Sequence, residues 1–321
     1  MAPELALLDR FASDLDALIA PTARIGLGVS GGPDSMALLL LAAAVRPGLV
    51  EAATVDHALR DGSRAEAEFV ALTCAELGVP HVILTAGWKA APATALQERA
   101  RRERYRLLGF WAEERGLDAL ATAHHADDQA ETLLMRLSRG SGVRGLAGMR
   151  RRSIAAGTDI TLVRPLLGWR RHELVEVCRD AGIAPVLDPS NNDERFERVR
   201  VRHSLLERDW LDPAALARSA AHLSDAQTAL EWAARQEWTH NARERASAIL
   251  YRPNGAPDEI LRRIASRAVR KLATEGDPEL RGRELDLVIG ALSSGDQITM
   301  RGVLCSGGTE WRFTQAPPRR S

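Results

Sequence analysis

The chain has 321 residues with 43 lysines and arginines against 43 aspartates and glutamates, so any nucleic-acid partner must be held by local patches, not by an overall field. Hydrophobic residues at 45% and charged residues at 27% describe an ordinary globular protein, and the length favours two domains over one. Cys74, Cys178 and Cys305 lie far apart with no C-x-x-C pair, which excludes an obvious zinc or iron–sulfur framework and fits a reducing compartment.

The spacing of Leu5, Leu8, Phe11, Leu15 and Leu18 predicts a covering helix over residues 4–19. The acids around it (Glu4, Asp9, Asp14, Asp16) leave no signal-peptide core, and no apolar run approaches a membrane span, so a cytoplasmic location is expected. A strand at 25–29 leads into Ser30-Gly31-Gly32-Pro33-Asp34-Ser35 and a helix that ends near Pro47-Gly48. A second strand, 49–55, runs into Asp56-His57; a helix follows from about Ser63, a plausible cap, to Leu77. Strand 81–84, an arginine-rich helix over about 93–115, and strand 119–123 running into His124-His125 come next, with a helix starting near Asp127. This alternation predicts an α/β, doubly wound parallel sheet. The order weakens from about 150 to 208, where Pro165-Leu166-Leu167 precedes a helix at 171–181 and a polar loop at 188–197. Helices are expected at about 212–247, 257–274 and 280–293, then a terminal hairpin within 297–315. The expected organisation is a catalytic domain over 1–208 and a mainly helical domain with a terminal β-hairpin over 209–321.

The loop at 30–35 has the makings of an anion site: glycines that let backbone approach a ligand, hydroxyls on Ser30 and Ser35, and the open amides of a helix start. Asp34 beside a phosphate makes sense mainly with a divalent cation between them. No Walker A pattern is present. Gly28-Val29-Ser30-Gly31-Gly32 matches the G-x-S-x-G nucleophile elbow, but an elbow needs several strands before it and only one precedes Ser30. A plain βα turn whose glycines serve packing is the simplest alternative.

His124-His125-Ala126-Asp127-Asp128-Gln129-Ala130-Glu131-Thr132 is the densest polar constellation. Asp127 or Asp128 shares one helix face with Glu131, which suits either a metal site with the histidines or a grip on a cationic substrate group. In the run Arg99, Arg101, Arg102, Arg104 and Arg106, part of the helix can turn inward, with Arg101, Arg104 and Tyr105 about one turn apart. An inward arginine beside a phosphate site balances nucleotide charge. Arg150 to Arg152, then Arg195, Arg198, Arg200 and Arg202, form further basic runs. In a doubly wound sheet ligands bind beyond the strands' carboxyl ends, and the loop, Asp56-His57 and the histidine cluster all fall there.

Ser30 to Ser35 resembles the PP-loop of N-type ATP pyrophosphatases, which split ATP to AMP and pyrophosphate while adenylating a substrate. NAD, GMP and asparagine synthetases and tRNA thiolases share that motif. The stretches 56–60, 100–105, 124–132, 139–146, 164–167 and 188–191, with Arg198 and Arg202, narrow the resemblance to tRNA(Ile)-lysidine synthetases over about residues 24–205. The resemblance implies a ligase that adenylates C2 of the wobble cytidine of the isoleucine tRNA with a CAU anticodon, then attaches L-lysine through its ε-amine. It implies ATP and Mg²⁺, with Ser30, Gly31, Gly32 and Ser35 cradling pyrophosphate and Asp34 holding the metal. Asp56 and His57 are implied at the nucleotide, Arg104 and His124 at the phosphates, Asp128 and Glu131 at the lysine, and Arg198 and Arg202 at ATP or the RNA strand. It allows a homodimer and places tRNA binding in the second domain. The rivals are a tRNA 2-thiolase, which needs reactive cysteine or iron–sulfur chemistry, a serine or metal hydrolase, and a non-catalytic RNA-binding module.

Overall fold

The computed structural model describes residues 3–57, 62–87, 96–186, 193–273, 280 and 282–317. The Ala58 to Arg60 part of the second motif, the start of the arginine-rich helix at Ala93 and the Asp188 to Asn192 loop lie outside them. Two compact units, Met1–Ser224 and Asp225–Ser321, divide the chain inside the helix Pro213–Asn241.

The first unit is built on six strands: β1 (Ile25–Gly28), β2 (Val50–Asp56), β3 (His81–Thr85), β4 (Ala119–Ala121), β5 (Arg152–Ile154) and β6 (Thr161–Val163). They lie in the order β3-β2-β1-β4-β6-β5, parallel except for the edge strand β5. Ile25 of β1 is in register with Val50 on one side and Ala119 on the other, so β1 is central and the topological switch falls between β1 and β4. Side chains alternate between two cores. Ile25, Leu27, Ala52, Ala119 and Ala121 face one, and Ala53, Leu120 and Leu162 face the other.

Helix α1 (Leu5–Asp16) and helix α2 (Pro33–Val45) cover the first face. Every residue of α2 from Ser35 to Ala42 is buried, which is why its Met-Ala-Leu-Leu-Leu-Leu run shows no polar stripe. Between strands β2 and β3 lies α3 (Ser63–Glu76), and α4 (Leu96–Glu114) places Leu108, Trp111 and Ala112 in the second core. Helices α5 (Ala126–Leu137), α6 (Val143–Leu146), α7 (Arg171–Asp180) and α8 (Glu197–Glu207) complete the unit. Cys178 of α7 donates its thiol to Pro33 O at 3.3 Å, where α7 packs on α2.

Gly148 holds the turn after α6. Its φ is +66°, and an added Cβ would lie 2.5 Å from Gln129 Oε1. That amide is committed at both ends, accepting from Met149 N at 2.7 Å and donating to Met149 O at 2.8 Å. Gly148→Ala is expected to cost about 2 kcal/mol, combining left-handed strain with loss of this clamp. Thermal unfolding should fall by about 4–8 °C. Gly157→Ala, also at positive φ but with nothing within 4 Å, should cost less.

The second unit carries more sheet than its periodicity predicts. After α9 (Pro213–Asn241), residues expected to stay helical to 247 form β7 (Ala242–Arg245) and β8 (Ala248–Tyr251). Helices α10 (Asp258–Leu272) and α11 (Arg283–Ser294) follow. The terminal segment holds three strands, β9 (Gln297–Met300), β10 (Val303–Ser306) and β11 (Trp311–Gln315), where a hairpin was expected. All five strands pair antiparallel in the order β7-β8-β11-β10-β9. Ile249, Tyr251, Ile260, Ile264, Val303, Trp311 and Phe313 form the core of this unit. No helix among the described residues is long and apolar enough to cross a membrane.

Candidate functional site

The loop after β1 turns through Gly31, whose φ of +84° is one that side-chain-bearing residues rarely adopt. Ser35 Oγ fixes the turn: it accepts from Ser30 N at 3.1 Å, donates to Gly32 O at 3.0 Å and lies 3.2 Å from Ser30 Oγ. Gly32 caps α2 without any side-chain bond, so the helix's first-turn amides and positive dipole end are left to an anion. Among the described residues the hydroxyl of Ser30 meets Ser35 and no histidine, which speaks against the elbow reading.

Asp34, in that first turn, reaches toward the start of α5. His125, 2% exposed, is the hub between them. Its Nε2 lies 3.5 Å from both Asp34 Oδ2 and Asp128 Oδ2, and its Nδ1 lies 3.6 Å from Asp127 Oδ2. Burial opposes a charge on this ring, but the facing carboxylates of Asp128, Asp127 and Asp34 outweigh it and raise its pKa to about 10. His125 therefore carries its positive charge at neutral pH among these carboxylates. Asp34 Oδ1, in contrast, is buried with no hydrogen-bond partner among the described residues. An orphaned carboxylate oxygen beside an anion-binding loop suits a hard divalent cation that phosphate oxygens would also ligate.

Asp127 belongs to the scaffold. It accepts from Arg171 N at 2.9 Å and from Arg170 Nε at 3.3 Å, tying α5 to α7. Burial opposes its ionisation, but His125, the Arg171 amide and Arg170 hold its pKa far below the usual carboxylate range. Asp128 and Glu131 do share one face of α5, and α8 brings arginines against both. Arg198 donates to Asp128 Oδ1 at 2.7 Å and to Glu131 Oε2 at 2.5 Å, and Arg202 Nε donates to Glu131 Oε1 at 2.7 Å. Glu131 is 1% exposed, so this pairing is what allows a carboxylate there at all. The basic patch assigned from sequence to ATP or RNA thus sits on the carboxylate pair, one turn apart along α8.

The second histidine differs from the first. His124 Nε2 lies 3.1 Å from Arg101 Nη2 and 3.4 Å from Tyr105 Oη, while Nδ1 lies 3.0 Å from Thr122 Oγ1. Arginine can only donate, so Nε2 accepts and Nδ1 carries the proton. Burial, reinforced by Arg101, Arg164 and Arg198 and opposed by Asp128, pushes its pKa down to about 3. His124 is neutral, and the positive charge on this side comes from α4. Arg104 is exposed on α4 and close enough to His57 to lower that ring's pKa, an effect second to burial. Asp56, at the end of β2, accepts from Ser63 Oγ at 2.8 Å.

Sequence reading singled out the loop, His124, Asp128 and Glu131, and these converge on one rim. Arg101 and Tyr105, the inward part of the arginine run, bond His124 there, while His125 and Arg164 take places that no expected role had given them singly. The signal for His125 was its place immediately before α5, with Asp128 three residues on and bonded to its backbone N–H at 3.1 Å. Each cysteine is buried, and burial pushes all three thiols up to about 12, with Asp34 adding to the effect at Cys178. None presents the thiolate that the 2-thiolase alternative requires.

A family described as PP-loop domain matches residues 7–209. A tRNA(Ile)-lysidine synthase of Novosphingobium aromaticivorans is 46% identical over 97% of this chain and 94% of its own length. One from Zymomonas mobilis is 41% identical over 100% of this chain and 96% of its own length. Among solved structures, the U34-tRNA thiolase NcsA from Methanococcus maripaludis, determined with its 4Fe-4S cluster, aligns with a TM-score of 0.57. That alignment covers 68% of this chain and 80% of the thiolase at 17% identity, a likeness of fold.

Proposed function

Because the chain belongs to the tRNA(Ile)-lysidine synthase family, we propose that it uses ATP to attach lysine to the wobble cytidine of the isoleucine tRNA with a CAU anticodon. The observation that carries this reading is the junction made by His125. It joins an aspartate of the glycine loop, suited to a metal-bound polyphosphate, to carboxylates of α5, suited to a cationic substrate.

In the first step the cytidine O2 attacks the α-phosphorus of ATP and pyrophosphate leaves. In the second the lysine ε-amine attacks C2, loses its proton and displaces AMP. Ser30, Ser35 and the loop amides hold the departing pyrophosphate, and Asp34 holds Mg²⁺, which when bound offsets polyphosphate charge. Arg104, with Asp56 and His57 beside the nucleotide, balances charge at the transferring phosphorus, while neutral His124 fixes Arg101 by accepting its hydrogen bond. The lysine ammonium reaches Asp128 and Glu131 by taking the place of Arg198, which pairs with both and is 35% exposed against 21% for Arg202. The second unit, whose α10 carries Arg262, Arg263, Arg267, Arg270 and Lys271, is assigned to the tRNA outside the anticodon.

Mass spectrometry of isoleucine tRNA incubated with ATP and isotopically labelled lysine tests the whole reading. The expected result is label on the wobble cytidine, with one AMP and one pyrophosphate formed per lysine. An unlabelled cytidine, or label appearing without ATP, overturns it.

A further inference from the structure

Beside the phosphate rim lies a cavity of about 380 Å³ that the steps above leave unused. It is an open groove lined by Arg101, Arg102 and Tyr105 of α4, Ile154 of the edge strand β5, and Leu162 and Arg164 of β6 and its carboxyl end. Its size lies within the range of small-ligand sites. Three guanidiniums face one carboxylate, Glu98, so the cavity is positive and suits an anion.

Its apolar part is equally specific. Ile154 is 59% exposed, an uncovered aliphatic side chain on a sheet edge, and it points at the cavity together with buried Leu162. Arg101 stacks on the Tyr105 ring, its guanidinium carbon 5.2 Å from the centroid, which sets the guanidinium as a flat, cationic surface. Arg164 is 8% exposed and donates to Arg150 O at 2.7 Å and Ser153 Oγ at 3.1 Å, yet its Nε is buried with no hydrogen-bond partner. A fixed cation, a flat guanidinium and an aliphatic patch together match an unstacked nucleobase and its phosphate.

We propose that this cavity seats the nucleotide adjoining the reacting cytidine, its base lying between Ile154 and the Arg101 guanidinium and its phosphate meeting Arg102. Arg101 connects the two places, since it also bonds His124 on the rim where the cytidine reacts. The neighbouring base thereby anchors the strand while the cytidine is turned into the site. This rests on the reading of the chain as a cytidine-modifying tRNA enzyme.

Three tRNAs and one variant test it, with labelled lysine incorporation as the readout. An isoleucine tRNA abasic at either neighbour of the wobble cytidine is compared with the intact tRNA on the wild type and on Ile154→Asp with Arg102→Glu. Both side chains are exposed, so the fold should survive. Stacking of one base supports a KM rise of about tenfold or more for one of the two abasic tRNAs on the wild type. The variant should raise the KM for intact tRNA similarly and lose its discrimination against that abasic tRNA, while the KM for ATP moves far less. Equal KM values for all three tRNAs on the wild type overturn the proposal, as does a variant that still discriminates. If the wild type labels no tRNA at all, the functional reading fails instead.

Discussion

Asp34→Ala is expected to lower pyrophosphate release from ATP by about 10³-fold in the presence of tRNA and lysine, without lowering the unfolding temperature. The two halves of that expectation have separate causes. The loss of rate follows from the orphaned Oδ1 of Asp34, the one acidic residue in the first turn of α2. Metal-held polyphosphate charge has no other ligand on this helix end, and the dipole and amides alone do not replace a cation bridge. The retained stability follows from His125. Its imidazolium keeps Asp127 and Asp128 when Asp34 is lost, so no buried charge is left without a counter-charge. Removing a buried, unsatisfied oxygen relieves a desolvation cost of about 1–3 kcal/mol, so the variant should unfold at the same temperature or higher. Asp34→Asn, which keeps the shape and removes the charge, should lose nearly as much rate. A variant that releases pyrophosphate at the wild-type rate would show that the loop does not hold the metal through Asp34.

The parallel strands β1 to β4 were legible because each is a mostly apolar run that ends at a glycine, histidine or aspartate, as a strand inside a covered parallel sheet is expected to be. The strands that escaped notice, β5 to β8, have three or four residues each. Arg152-Ser153-Ile154 and Ala242-Arg243-Glu244-Arg245 are held by edge pairing and carry no alternation long enough to read. The site divides along the same line. Gly31, Ser35 and Asp34 act through local geometry, which a six-residue motif contains. The pairing of Arg198 with Glu131 spans 67 positions, and nothing in a single chain reveals which acid a distant arginine will meet. The histidines show the same limit within two residues. His124 and His125 have identical chemistry, and only the turn from β4 into α5 decides that one is neutral among arginines and the other charged among aspartates.

That assignment makes His125→Gln the most damaging single change expected for stability. The ring is 2% exposed and faces Asp34, Asp127 and Asp128; among the described residues Arg170 bonds Asp127 and Arg198 bonds Asp128 as further cations. Glutamine fills the space but leaves the cluster one positive charge short, and breaking a buried ion pair from one side costs about 3–5 kcal/mol. At the lower figure the first unit should unfold about 6–12 °C earlier at pH 6. The pH dependence separates charge from packing. The folded pKa of about 10 stands above the unfolded value near 6.5, so the folded state binds the proton more tightly. The wild-type advantage over His125→Gln is therefore complete below about pH 6.5. It shrinks as the unfolded state gives up its proton, and the charge part is gone once the pH passes the folded value. Differential scanning fluorimetry of both proteins from pH 6 to 9.5, in chelating buffer so that no divalent cation competes for Asp34, should show the curves converging. A gap that stays constant across that range would mean that the loss on His125→Gln comes from packing and not from the charge of the ring.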